Sequence, residues 1–140
     1  MAPDAQLEIV SKVPLFTNLN KKHLKAISES GKKLSFAKGE KIVGKGDTGD
    51  SLYVVLDGRV EARSGEKVLA KLGKGKFFGE IALFDKQPRS ADIIAVSPTT
   101  CLRITGLAFE RTLQKEPKIV HGVMMELAQR LRNADMALTE

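Results

Sequence analysis

The residues best suited to chemistry in this chain fall in one short stretch, Phe77 to Ala91. Within it Glu80-Ile81-Ala82-Leu83 favours a short helical turn. Gln87-Pro88 then breaks the run, because proline disfavours helix at the residue before it. A turn of that length is not stable alone, so its exposed end is where a role is expected. A helix N-terminus offers unpaired N–H groups and partial positive charge, a cradle for an anion. Glycine at position 79 lets the backbone approach that anion closely. Arg89, just past the turn, carries a planar fork that grips phosphate in a bidentate pair. Glu80 is the odd member, since a carboxylate repels phosphate. It belongs there if the ligand also offers a hydroxyl, such as a ribose 2′-OH. Together these residues point to a nucleotide whose phosphate lies close to its ribose.

The elements that must hold this stretch are legible on both sides. Apolar Leu7, Ile9, Val10 and Val13 suit a short helix ending before Pro14. Leu15–Leu19 reads as a turn, and Asn20 as the N-cap of a second helix carrying Leu24 and Ile27 and stopped near Gly31. From Leu34 to Ile104 the texture changes, and eight of the twelve glycines lie between Gly44 and Gly79. Turn signals recur about every 8–10 residues, and between them lie β-prone runs at Leu34–Phe36, Lys41–Val43, Leu52–Leu56, Val60–Arg63, Val68–Leu72, Ile93–Val96 and Thr100–Ile104. That spacing predicts a small antiparallel jelly roll with flanking helices. Leu107–Lys115 reads as a helix, and Pro117 restarts a longer one. There Val120, Met124, Leu127, Leu131, Ala134 and Leu138 follow a heptad-like seam. The seam pairs with a twin helix in a homodimer, covers the open face of the roll, or does each along a different stretch of the helix.

Phe78-Gly79-Glu80-Ile81-Ala82-Leu83, followed by Pro88-Arg89-Ser90-Ala91, resembles the phosphate-binding cassette of the cyclic nucleotide-binding domain family. Gly46-Asp47-Thr48-Gly49-Asp50-Ser51-Leu52-Tyr53 and Gly58 resemble the glycine-bearing turns of that family's β-roll. The resemblance runs from about Leu15 to Leu131. It implies a mainly β fold with flanking α: a double-stranded antiparallel β-helix (jelly roll or β-roll) with N-terminal helices and C-terminal lid helices. The organisation it implies is a helical segment over 1–33, a β-roll over 34–105 with its cassette at 77–91, and C-terminal helices over 106–140, all in one compact domain.

The function implied is a regulatory domain that binds cyclic AMP or cyclic GMP and relays the second messenger through its C-terminal helix. The alternative is a β-roll that serves interaction or dimerisation without nucleotide. By the same resemblance Arg89 pairs with the cyclic phosphate and Glu80 accepts from the ribose 2′-OH. Gly79, Ile81, Ala82 and Ala91 supply backbone contacts and close approach, Phe78 stands beside them in the binding site, and Ser90 donates to a phosphate oxygen or to guanine. Leu131, Ala134 and Asp135 are the lid candidates over the purine. Gly46, Asp47, Gly49, Asp50 and Gly58 read as scaffold, and Tyr53, Phe77, Phe78 and Phe84 as core or cassette anchors. The choice of base stays open, with cyclic AMP favoured only as the family's commoner ligand.

The whole sequence is compatible with that reading. It has 140 residues, a net charge of +6, 42% hydrophobic and 29% charged residues, ordinary for one soluble domain. The lysines at 21, 22, 25, 32, 33, 71, 74 and 76 are interleaved with acids and lack aromatic partners. They read as a solvated surface that speeds capture of an anion, not as a nucleic-acid interface. His23 and His121 have no partner at ligand spacing, so no metal is expected, nor any cofactor besides the nucleotide ligand, nor an enzyme. No apolar run spans a bilayer, the N-terminus shows no secretory signal, and a single cysteine, Cys101, fits a cytoplasmic setting. With nothing after Glu140, no DNA-binding or catalytic domain is expected on this chain. Its partner is then an effector protein or domain, or a second copy.

Overall fold

The recurring turns cut the middle of the chain into eight strands: β1 (Lys32–Phe36), β2 (Lys41–Val43), β3 (Ser51–Asp57), β4 (Arg59–Ser64), β5 (Lys67–Gly73), β6 (Phe77–Phe78), β7 (Asp92–Ala95) and β8 (Thr99–Thr105). They form two four-stranded sheets, ordered β1-β8-β3-β6 and β2-β7-β4-β5, and every strand pair is antiparallel. This is the β-roll expected from the turn spacing. The computed structural model describes the backbone of residues 3–139 and the side chains of residues 4–134.

The apolar run Leu52–Leu56 explains why β3 lies at the centre. A strand's side chains alternate between its two faces, and here both faces are covered. Leu52, Val54 and Leu56 join Val10, Phe16, Ile27, Ile104, Phe109 and Ile119 in a core between sheet and helices. Tyr53 and Val55 join Val60, Ile93 and Cys101 inside the roll. Burial pushes the Cys101 thiol up to about 12, which keeps it protonated and inert at neutral pH.

The helices are α1 (Pro3–Ser11), α2 (Lys21–Ser30), α3 (Gly106–Lys115) and α4 (Ile119–Thr139), with short 3-10 turns at Pro14–Phe16 and Glu80–Leu83. Asn20 caps α2 as expected, its side-chain oxygen accepting the His23 N–H at 2.8 Å. Thr105 does the same for α3 through the Ala108 N–H at 3.0 Å. The eight lysines read as surface are all exposed. Among the described residues no helix is long and apolar enough to cross a membrane.

Helix α4 decides one of the alternatives left open above. It packs on the domain through Ile119 and Val123, both buried, and through half-buried Glu126 and Arg130. The heptad-like seam lies on another face: Val120, Met124, Leu127 and Leu131 are 39%, 61%, 36% and 66% exposed. The described part of the seam therefore does not cover the roll.

The tight β3–β4 turn rests on Gly58, whose φ of +94° suits glycine and strains any residue with a Cβ. A Cβ there would also strike the Pro98 carbonyl and come within 2.6 Å of Thr99 Oγ1. Gly58→Ala is expected to lose about 2–4 kcal/mol in a urea melt, summing backbone strain and overpacking. Gly39 has a similar φ of +90° but open space around it, so Gly39→Ala should lose only about 1–2 kcal/mol.

Candidate functional site

The chain from Gln87 to Arg89 is laced against the Gly46–Gly49 turn by backbone bonds. The Arg89 N–H donates to the Asp47 carbonyl at 2.7 Å, Gly46 N–H to the Arg89 carbonyl at 2.8 Å, and Gly49 N–H to the Gln87 carbonyl at 2.9 Å. That lacing fixes the Cα of Arg89 and aims its side chain inward. The guanidinium then passes between two glycines. A Cβ on Gly49 would sit 2.8 Å from Arg89 Nε, and a Cβ on Gly79 would collide with Arg89 Nη1. Gly79 adopts φ +82°, the left-handed conformation open to glycine. Arg89 Nη2 donates to the Ser51 carbonyl at 2.8 Å, and Arg89 Cζ lies 6.0 Å from the centre of the Tyr53 ring. Tyr53 in turn stacks on Phe78, with centroids 4.9 Å apart and planes inclined by 9°. Arg89 forms no salt bridge with any described carboxylate. Its charge is held in place by a carbonyl, a ring and two bare backbones.

This arginine borders a cavity of about 460 Å³ lined by Phe78, Gly79, Ile81, Ala82, Arg89, Ser90 and Ala91. Seven of the eight cassette residues singled out from the sequence thus meet around one space. The opposite wall is apolar, made by Val43 of β2, Ala62 of β4, Leu69 and Leu72 of β5 and Ile93 of β7. Asp85 and Gln87 line the cavity as well, so the space combines an apolar wall with one cation and one carboxylate, which fits a small ligand that joins an anionic group to an apolar body.

Glu80 is the eighth residue, and it is already engaged. Its Oε1 and Oε2 accept from Arg130 Nη1 at 2.7 Å and Nη2 at 3.3 Å, a fork-to-fork pair. Arg130 Nε also donates to Glu126 Oε1 at 3.2 Å. The hydrogen bond that Arg130 donates to Glu80, with the charges of Glu80 and Glu126, raises the Arg130 pKa above its ordinary value. The cassette is therefore tied to α4 by an ion pair on the face of α4 that packs against the domain.

The lid candidates are placed differently. Leu131 and Ala134 are exposed on α4 and do not line the cavity. The side chain of Asp135 lies outside the described residues. Tyr53, expected as a core or cassette anchor, stacks on Phe78 beneath Arg89. Two contributors are not evident from the sequence: Gly49, which reads as scaffold, and Arg130, which no motif singles out. The one signal for Arg130 was an arginine four residues after Glu126 on a helix, a spacing that pairs charges on one face. Among the described residues no cluster of three or more His, Cys, Asp or Glu could hold a metal ion.

Residues 33–116, more than half of the chain, match the family model of the cyclic nucleotide-binding domain. The chain belongs to this family. It is 32% identical to the cyclic AMP receptor protein of Thermus thermophilus, over 89% of this chain and 60% of that protein. It is 33% identical to the cAMP-dependent protein kinase regulatory subunit of Mycosarcoma maydis, over 89% of this chain and 27% of that one. Among solved structures, the N-terminal domain of a transcriptional regulator from Streptomyces coelicolor superposes with a TM-score of 0.87 at 28% identity, covering 93% of this chain and 94% of that one. The chain thus spans less than two thirds of either curated relative.

Proposed function

We propose that this chain is the cyclic nucleotide sensor of a cytosolic regulatory system, with cyclic AMP as its ligand, and that α4 carries its output. Arg89 takes the cyclic phosphate from the slot between Gly49 and Gly79. Ser90 donates its hydroxyl to the same phosphate, and backbone groups at Gly79, Ile81, Ala82 and Ala91 close around it. The purine lies along the apolar wall of Val43, Ala62, Leu69 and Leu72. Two relatives named for cyclic AMP support that choice of base, and a single buried thiol supports the cytosolic setting.

The observation that carries the relay is the Glu80–Arg130 pair. A carboxylate has about four acceptor positions, so Glu80 has room for a ribose 2′-OH beside Arg130. A ligand hydroxyl entering there competes for the same oxygens, and any change in the pair is felt on α4. The ligand shifts α4 by as much as its affinity differs between the two arrangements of that helix. Leu131, Ala134 and Asp135 then reach the base only in the arrangement that brings the far end of α4 over the cavity.

Hydrogen exchange measured by mass spectrometry with and without saturating cyclic AMP tests this. The expected result is protection of peptides over 78–91 together with changed protection over 119–131. Protection of the cassette with α4 unchanged would remove the relay and leave binding alone. A second reading, a domain that dimerises without nucleotide, is favoured by the exposed seam at Val120, Met124, Leu127 and Leu131. Sedimentation without ligand distinguishes it: a dimer broken by Met124→Glu and indifferent to cyclic AMP would support that reading over the sensor.

A further inference from the structure

Arg89 owes its position to Ser51, and Ser51 is itself held by a second arginine. Ser51 opens β3 and is fully buried. Its carbonyl accepts from Arg89 Nη2 at 2.8 Å, while its side chain faces another cluster. Arg103 of β8 donates from Nε to Ser51 Oγ at 2.9 Å and from Nη2 to Asp50 Oδ1 at 3.3 Å. Ser51 Oγ in turn donates to Asp50 Oδ1 at 2.7 Å. The triangle is closed, and each bond to a charged group fixes the others.

Arg103 is also the residue directly opposite Tyr53 in the β3–β8 ladder, and the Tyr53 ring lies beneath Arg89. Arg103 therefore bonds the hydroxyl of the residue whose carbonyl Arg89 holds, and it pairs across the ladder with the residue whose ring Arg89 overlies. The charges agree with this placement. Two guanidiniums converging on one strand end repel each other, and the Asp50 carboxylate stands where it balances them. The Ser51 hydroxyl and the two arginines hold Asp50 below the usual carboxylate range, against the opposing effect of burial.

We propose that Arg103, acting through Ser51 and Asp50, is a positioning residue that fixes the orientation of the Arg89 guanidinium toward the ligand phosphate. This rests on Arg89 being the phosphate-binding residue. Arg103 makes no contact with the ligand in this scheme. Its fork is taken up by Ser51 and Asp50, and a lysine, with one donor head, can satisfy only part of that pattern. The defect caused by losing Arg103 is therefore one of aim.

The test uses the intact chain and three variants, Arg103→Gln, Arg103→Lys and Ser51→Ala. Calorimetry gives the affinity for cyclic AMP and for the two diastereomeric phosphorothioate analogues, in which sulfur replaces one or the other exocyclic phosphate oxygen. An arginine held in one orientation distinguishes the two analogues, and a loosened one does not. Arg103→Gln should bind cyclic AMP about tenfold more weakly, the size expected for a coupled neighbour. Its ratio of affinities for the analogues should fall toward one, and Arg103→Lys should recover part of both. Nitrogen-15 spectra of the unliganded protein supply a ligand-free reading: the Arg89 Nε–H signal, sharp in the parent, should broaden or shift in Arg103→Gln and Ser51→Ala.

An unchanged Arg89 signal with unchanged analogue discrimination overturns the proposal. So does a loss of affinity that tracks a fall in melting temperature while the analogue ratio holds, because that is a structural role only. Absence of cyclic AMP binding by the parent chain is a different failure. It removes the sensor reading and this inference with it, whereas a binding parent and an indifferent Arg103→Gln removes this inference alone.

Discussion

Replacing Arg89 with alanine is expected to weaken cyclic AMP binding by at least about tenfold while the domain stays folded. A charge-assisted hydrogen bond is worth about 1.5–3 kcal/mol, which corresponds to roughly ten- to over a hundredfold in affinity. The upper part of that range applies when the fork engages two phosphate oxygens. The fold should tolerate the change because Arg89 has no carboxylate partner to strand. What it leaves behind is the Ser51 carbonyl, which loses one donor. Arg89→Lys should recover little, since a lysine head cannot hold the Ser51 carbonyl and present two parallel donors to phosphate at once. Titration calorimetry and a thermal melt of the unliganded variant check both halves. A melting temperature that collapses without ligand would make Arg89 a structural residue and its assignment to phosphate wrong.

The second large effect concerns Glu80, and its clearest form is a cycle between protein and ligand. Glu80→Ala is expected to weaken cyclic AMP binding by about tenfold, from loss of the charged acceptor for the ribose hydroxyl. The 2′-deoxy analogue should lose a similar amount against the parent protein. Against Glu80→Ala it should bind about as well as cyclic AMP does, because the partner of the missing hydroxyl is already gone. The non-additivity is the evidence for a direct contact. Independent losses that simply add would mean that Glu80 acts only by holding Arg130, and Arg130→Gln should then reproduce the Glu80→Ala value.

Much of this architecture could be read from the chain because it is local. The cassette is carried by a glycine, a carboxylate, a proline and an arginine within one short loop. Strand positions followed from turn residues, and Asn20 capped the helix it was expected to cap. What could not be read depends on contacts between distant residues. Arg130 lies fifty positions from Glu80, and nothing in the spacing of either predicts the pair. Ser51 reads only as part of the turn sequence before the Leu52–Leu56 run, yet its carbonyl and hydroxyl hold two different arginines. Helix α4 leaves alternatives open in the sequence for a different reason. Its apolar residues form two stripes, and the seam at Val120, Met124, Leu127 and Leu131 is the more regular. The stripe that packs against the domain starts with Ile119 and Val123 and ends in Glu126 and Arg130. A count of apolar periodicity passes over such a stripe, because an ion pair, not an apolar side chain, makes its last contact.

The central claim is that Arg89 and its cavity bind a cyclic nucleotide, and titration calorimetry of the purified chain against cyclic AMP and cyclic GMP, beside Arg89→Ala, tests it most directly. The expected result is one site with micromolar or tighter affinity for cyclic AMP, about −8 kcal/mol or beyond, weaker binding of cyclic GMP, and loss of binding in the variant. No heat and no thermal shift with either nucleotide would contradict the account.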